Sequence, residues 1–420
     1  MHCLHDPGSS RDRGVEYFDD GLLIVEDGRV ESVGPAEPLL ERIGTMDVTE
    51  FPGKLIVPGF IDCHVHYPQI DMIASYGAQL LDWLTRYAYP AEQKFADAAH
   101  AREVADFFTD ELLRNGTTTA LVFATVHPGS VDAMFEAART RGMRLVTGKV
   151  LMDTGCPEAL RDSPEIAYSE SRELIERWHG VDRLGYAITP RFALTSTAEQ
   201  LDALGRLADE FPGVHVHTHL AENRDEIDAV ARRFPDSRSY LDVYKQHGLL
   251  RERAVFAHCV HLDDEDRSEL AANRGGVAFC PSSNLFLGSG LYDLAASDAA
   301  GVATGIGTDV GGGTSLSVLR TLGDAYKVLQ LEGQSLPAFK ALYLATLGAA
   351  RALGVDDVIG NFEPGKEADF VVLDPRSDSL TSRRFSAAAD IEEKFFALMT
   401  LGDDRDVLAT YLTGDAAYRR

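Results

Sequence analysis

Cysteine is scarce and scattered. The five cysteines (Cys3, Cys63, Cys156, Cys259 and Cys280) form no CxxC pair. That excludes a disulfide framework and a thiolate zinc knuckle, and it suits a reducing cytoplasm, the expected location. Basic charge is short as well: 40 Lys and Arg stand against 66 Asp and Glu, for a formal net charge of −26. Nucleic acids and anionic membranes are held by clusters of Lys and Arg, so neither is expected as a partner. No window holds about 18 uncharged apolar residues in a row, which excludes a membrane-spanning helix. The opening residues Met1-His2-Cys3-Leu4-His5 offer neither a basic region nor an apolar one, so no secretory leader is expected.

What is present is apolar residues in quantity. At 420 residues and 45% hydrophobic content, the chain can bury one large core with additions. Its two ends read alike. Leu22 to Gly34 alternates around Asp27-Gly28 as a hairpin, and Ala368 to Asp374 is a short β-rich run. One small β-domain assembled from residues 1–58 and 362–420 is expected, flanking a different unit over 59–361.

That middle unit alternates apolar strands with amphipathic segments. Eight strands are expected: Phe60–His66, Thr117–Thr125, Arg144–Met152, Leu184–Phe192, Val214–Leu220, Ala254–Val260, Gly276–Pro281 and Val302–Thr308. Helices are expected between them, for example over Ala101–Leu113, Ser130–Thr140 and Ala198–Glu210. Strand–helix repetition implies a parallel sheet, and eight units imply a closed (β/α)8 barrel, the TIM-barrel form of the α/β class. The longest insertion, Tyr67 to Ala99, is rich in aromatic residues. In such barrels the chemistry sits where strands end.

Strand one ends in His64-Val65-His66, strand five in His217-Thr218-His219, strand six in His258 and strand eight in Asp309. Histidines spaced i and i+2 on a strand share a face. Four strands closed by imidazole or carboxylate suit one divalent metal, zinc by preference, with iron and manganese as alternatives. On strand five His219 is favoured over the deeper His217, and on strand six His258 over the loop residue His261. Asp309 can also accept a proton from a water on the metal. Glu222, three residues beyond His219, is placed to swing over the site as an acid or base. His127 is a candidate for the pocket rim, and Lys149, ending strand three, reads as structural.

These residues resemble the amidohydrolase superfamily, whose mark is an HxH–His–His–Asp pattern preceded by Pro-Gly-Phe-Ile-Asp, here Pro58 to Asp62. More specific stretches resemble the guanine deaminases within it. They include His66-Tyr67-Pro68-Gln69, Leu80 to Leu84, Tyr89-Pro90-Ala91-Glu92, Gly116 to Ala120, Gly148 to Asp153, Thr189-Pro190-Arg191-Phe192, His219 to Glu226 and Gly307 to Gly312. The resemblance runs over about residues 55–375. Cys63 departs from the threonine common in the family, and the first twenty or so residues match poorly. It implies one zinc held by His64, His66, His219, His258 and Asp309. It also implies a guanine pocket using Gln69, Arg191, Phe192 and Glu222, a flanking β-sandwich and a homodimer. Arg191 occupies the place of the metal-bridging lysine of dinuclear relatives.

A flat purine with polar edges wants aromatic faces and a few convergent donors and acceptors. Phe192, Trp83 and Tyr76 are available as walls, Arg191 as a fork of donors for a carbonyl, and Gln69 as donor and acceptor. The expected reaction is hydrolytic deamination of guanine to xanthine and ammonia, with Glu222 and Asp309 moving protons. The alternative is a related deaminase or chlorohydrolase acting on 8-oxoguanine, a triazine or an adenosine derivative. A barrel kept only as a scaffold would lack the donors present here. The Pro-Cys-x-x-Cys motif of cytidine-type deaminases is absent from the sequence.

Overall fold

The computed structural model describes residues 1–8, 14–44, 47–77 and 79–420. Eight strands pair in chain order, all parallel: β1 (Phe60–His66), β2 (Thr117–Phe123), β3 (Arg144–Gly148), β4 (Leu184–Pro190), β5 (His215–Leu220), β6 (Ala254–His258), β7 (Gly276–Phe279) and β8 (Ala303–Ile306). Beyond Lys149 the third strand resumes as Val150–Leu151 and pairs with the end of β4. These strands are almost wholly buried, as expected where both faces are covered, and so they read as apolar runs. The barrel is the one expected from the sequence.

The seam between β8 and β1 is stitched by backbone and by one carboxylate. His66 N–H donates to Val310 O at 2.8 Å, and Asp309 N–H to His64 O at 2.9 Å. The Asp62 carboxylate accepts from the backbone of Thr308 at 3.0 Å and of His64 at 3.2 Å, and from the Thr308 hydroxyl. Burial pushes Asp62 up to about 6 against the pull of these bonds. The seam therefore lies immediately behind the strand ends that carry His64, His66 and Asp309.

The outer helices begin where the side chains can cap them. Asp97 caps Ala98–Arg114, Ser163 caps Pro164–Trp178 and Thr197 caps Ala198–Glu210, each accepting a backbone N–H of the first turn. Under the barrel, the helix Leu347–Ala352 closes the floor. Its Ala349, Ala350 and Ala352 pack with Ile61, Cys63, Leu121, Val146, Ala187, Val255 and Ala278 from the barrel interior. The approach is close enough that a Cβ on Gly276 would stand 2.1 Å from Ala352 O.

Outside the barrel, a four-stranded antiparallel sheet combines Leu55–Pro58 with Phe370–Leu373, Val407–Leu412 and Asp415–Arg419. The expected hairpin is present as Gly21–Glu26 and Arg29–Pro35, turning through Asp27 and Gly28 at positive φ. It is a separate two-stranded sheet. It shares an apolar cluster, including Val30, Phe362, Phe370, Ala409 and Tyr411, with the larger sheet. The C-terminal segment also holds helices Ser379–Ala387 and Ile391–Leu401. Phe395, Leu398 and Met399 of the second helix belong to the main core. Among the described residues, no helix is long and apolar enough to cross a membrane.

Candidate active site

β1 carries a bulge between Asp62 and Val65, where its register against β2 shifts. Strict alternation from the inward-facing Ile61 and Cys63 would send His64 and His66 outward. The extra residue resets the count, and both imidazoles enter the barrel mouth. Three other strand ends turn sharply: Ala221 (φ 50), His258 (φ 73), Cys259 (φ 52) and Asp309 (φ 49) all have positive φ. For residues other than glycine this conformation costs about 1–2 kcal/mol. At a strand end that carries a donor, such a conformation persists only where the surroundings fix it.

The donors converge. His66 Nε2 lies 3.2 Å from His64 Nε2 and 3.2 Å from His219 Nε2. Asp309 Oδ1 is 3.2 Å from His64 Nε2 and 3.3 Å from His66 Nε2, and Oδ2 is 3.8 Å from His258 Nε2. Zinc–nitrogen bonds of about 2.0–2.1 Å in a tetrahedral site put ligand atoms about 3.3 Å apart. The opposite ring nitrogens are tethered. His219 Nδ1 meets Arg191 O at 2.6 Å, His258 Nδ1 meets Asn284 Oδ1 at 2.9 Å, and His64 Nδ1 meets His217 Nε2 at 2.8 Å. An Nδ1–H that donates outward leaves an Nε2 lone pair facing the centre, the usual second set of contacts behind a metal ligand. His258 Nε2 is buried with no hydrogen-bond partner.

Burial pushes His64 and His219 below the ordinary imidazole range and His66 down to about 3, which keeps all three neutral, as ligation needs. Burial also works to raise Asp309, but His64, His66 and His258 outweigh it and hold the carboxylate well below its usual range. On these grounds the residues fit a divalent ion. Cys280 Sγ also comes within reach of the cluster, close to His258 and Asp309.

Beside the donors opens a cavity. Gln69, Trp83, Arg191, Phe192, His219, Glu222 and Asp309 all line it, so the structure brings together the residues expected to meet substrate. Glu222 Oε2 is 3.5 Å from His258 Nε2, and its Oε1 accepts from Ser289 Oγ at 2.8 Å. Burial first, and then the charge of Asp309, push Glu222 up to about 8.

Other expectations fall elsewhere. Tyr76 is 79% exposed and walls nothing. His127 does not line the cavity; it precedes the helix Pro128–Arg141. His261 lies outside the cluster with Nε2 3.0 Å from Ser289 O. Lys149 is buried in ion pairs with Asp162 and Glu170, away from the donors.

Two carboxylates in the site were not foreseen. Glu92 accepts both Nη1 bonds of Arg191, at 2.8 and 2.7 Å, and one from Gln69 Nε2 at 3.0 Å. Glu226 accepts the backbone N–H groups of Glu222 at 3.0 Å and Asn223 at 3.2 Å, and the Tyr240 hydroxyl at 2.8 Å. Both sit inside stretches singled out in the sequence. Glu226, three residues after the N-cap Asn223, completes a capping box that its own stretch signals, whereas nothing local to Glu92 says what it touches. Leu80, Leu84 and Leu287 complete the apolar lining.

A parallel eight-stranded barrel with imidazoles and a carboxylate gathered at its strand ends defines a metal-dependent hydrolase. Residues 55–416 match the model of the amidohydrolase family, and the chain belongs to that family. Its relatives are more particular. A guanine deaminase of Escherichia coli (strain K12) is 52% identical over 97% of this chain and 93% of its own length. The solved E. coli guanine deaminase superposes with a TM-score of 0.93, covering 95% of this chain and 93% of that one. The guanine deaminase from Bradyrhizobium japonicum, 37% identical, reaches 0.96 over 100% and 97% of the two chains. The guanine deaminase from C. acetobutylicum with bound guanine in its active site, 28% identical, reaches 0.88 over 95% of each.

Proposed function

We propose that this chain is a guanine deaminase, hydrolysing guanine to xanthine and ammonia with one zinc ion per subunit held by His64, His66, His219, His258 and Asp309. The observation that carries the reading is one cavity lined both by members of that donor cluster, His66, His219, His258 and Asp309, and by Arg191, Gln69 and Phe192. When bound, the ion supplies a Lewis acid that brings the pKa of a water from about 15.7 towards about 7.

The chain's own groups do the rest. Arg191 and Gln69 fix the carbonyl edge of the purine, and Phe192 and Trp83 cover its apolar faces. Glu222, raised to about 8, carries a proton near neutral pH. It delivers that proton to ring N3 and makes C2 more electrophilic. Asp309 takes up the proton released by the attacking water. Asp309 then passes that proton to the departing amine, and the hydroxyl proton at C2 returns to Glu222 as the new carbonyl forms, so that one water is consumed, one ammonia leaves and both carboxyl groups end as they began. A homodimer, a cytoplasmic location and a division into 1–58 with 362–420 against 59–361 belong to the same reading. The paired terminal strands and their shared apolar cluster support that division.

The test is guanine turnover by ultraviolet change and ammonia release on zinc-analysed protein, with light scattering for the dimer. Glu222→Gln should keep its zinc and lose at least about 100-fold in kcat, the usual loss for a positioned acid–base group. Normal turnover in that variant would overturn the role of Glu222. A panel with 8-oxoguanine, a chlorotriazine and adenosine that outran guanine would overturn the substrate.

A further inference from the structure

We infer that Glu92 is a specificity-positioning residue, which sets Arg191 and Gln69 as a wall of hydrogen-bond donors and so selects a purine edge bearing a carbonyl. The inference rests on the guanine reading above and deepens it. Glu92 lies in the insertion after β1, on the helix Tyr89–Gln93, and is 1% exposed. Both of its oxygens lie within 2.8 Å of Arg191 Nη1, and Oε1 also accepts from Gln69 Nε2 at 3.0 Å. The Tyr89 ring lies 5.3 Å beneath the guanidinium. The clamp therefore combines two side chains from one helix with Arg191, which directly follows β4, and Gln69, on the helical turn Tyr67–Met72 after β1.

Its chemical consequence follows from counting groups. An amide side chain can present oxygen or nitrogen to a ligand, and a free glutamine chooses according to the ligand. Here the choice is made beforehand. Gln69 Oε1 takes the backbone N–H of Gly311 at 3.3 Å, and one hydrogen of Nε2 is spent on Glu92. The second Nε2 hydrogen remains for the cavity, which Gln69 lines. Arg191 spends Nη1 on Glu92 and keeps the hydrogens of Nε and Nη2. Arg191 then offers donors alone, and Gln69 offers its remaining N–H, its oxygen being held against Gly311. A ring edge with a carbonyl satisfies such a wall. One with an exocyclic amine at the same place puts donor against donor in a buried site, where an unmade bond is costly. Glu92 also neutralises Arg191, so the wall binds a neutral base without leaving a bare buried cation.

The experiment measures kcat/KM for guanine and for 2-aminopurine, which lacks the 6-carbonyl, on the zinc-loaded wild type and on Glu92→Gln. The guanine preference should fall at least tenfold in Glu92→Gln. A merely structural role would lower the active fraction for both substrates alike and leave their ratio where it was. The double variant Gln69→Glu/Glu92→Gln keeps one carboxylate in the cluster but turns position 69 into an acceptor. Binding of 2,6-diaminopurine as a competitor, relative to guanine, should strengthen at least tenfold there. Guanine turnover by the wild type, with both ratios unchanged in whichever variants fold, overturns the role of Glu92 alone. Absence of guanine turnover in the zinc-loaded wild type overturns the functional reading and this inference with it.

Discussion

Glu222 owes its pose to a residue that the reaction does not touch. Ala221 stands at φ 50, and the two N–H groups that follow it are both taken by Glu226. Burial and the nearby Glu222 push Glu226 up to about 7, while the Tyr240 hydroxyl and the Asn223 N–H pull the other way. Tyr240→Phe removes one of the bonds that hold this carboxylate. An unsatisfied buried group costs about 1–3 kcal/mol, so the urea midpoint should fall accordingly and kcat should drop several-fold as Glu222 loosens. Unchanged kcat at reduced stability would show that the Glu226 turn is scaffold only. At this scale the sequence is legible where residue type and strand position coincide. His64, His66, His219, His258 and Asp309 each close a strand, and a metal centre needs just such donors there. Glu226 had a signal too, the Asn223-x-x-Glu226 capping box, but Glu92 is illegible for a different reason. Glu92 meets Arg191 99 residues away. Nothing within reach of its own stretch reveals that pairing, nor that Tyr76, in the same insertion as Trp83, faces solvent.

The elements were legible through their periods, within a few residues at each end. The bulge in β1 was not, because a two-residue alternation gives the histidines a common face without saying which face. The helix Leu347–Ala352 was also missed: a short alanine-rich stretch carries little amphipathic pattern, and its place under the barrel is set by contact alone. Its seat depends on Gly276. A Cβ there would stand 2.1 Å from Ala352 O and 2.8 Å from the Ala352 carbonyl carbon, both backbone atoms of a packed helix. Neither neighbour can swing aside as a flexible side chain would. Gly276→Ala should therefore destabilise by about 1–3 kcal/mol or more, the usual cost of overpacking, measured as a lowered urea midpoint. Because β7 contributes to the barrel wall rather than to the donor set, whatever folded fraction remains should still bind zinc. A variant of unchanged stability would mean that the floor helix yields more readily than its backbone contacts imply.

At the scale of the molecule, the donor cluster and the closure of the barrel are one structure. The seam bonds from His64 O and His66 N–H to Asp309 and Val310 belong to the same residues whose side chains meet at the cluster. An ion held there would tie β1, β5, β6 and β8 through their ends and engage a His258 nitrogen that is buried without a hydrogen-bond partner. Binding to the folded chain alone adds RT ln(1 + [L]/Kd), about 4 kcal/mol at a thousandfold excess over Kd. Dialysis against a chelator should then lower Tm by several degrees and abolish turnover, and zinc should restore both. His219→Ala removes a ligand while leaving the Asp62 seam intact. Its Tm should respond to zinc far less than that of the wild type, a difference readable by calorimetry without any assay of activity. Equal Tm values for the chelated and zinc-loaded wild type would separate the ion from the fold, and the five donors would then have to be explained by something other than a common metal.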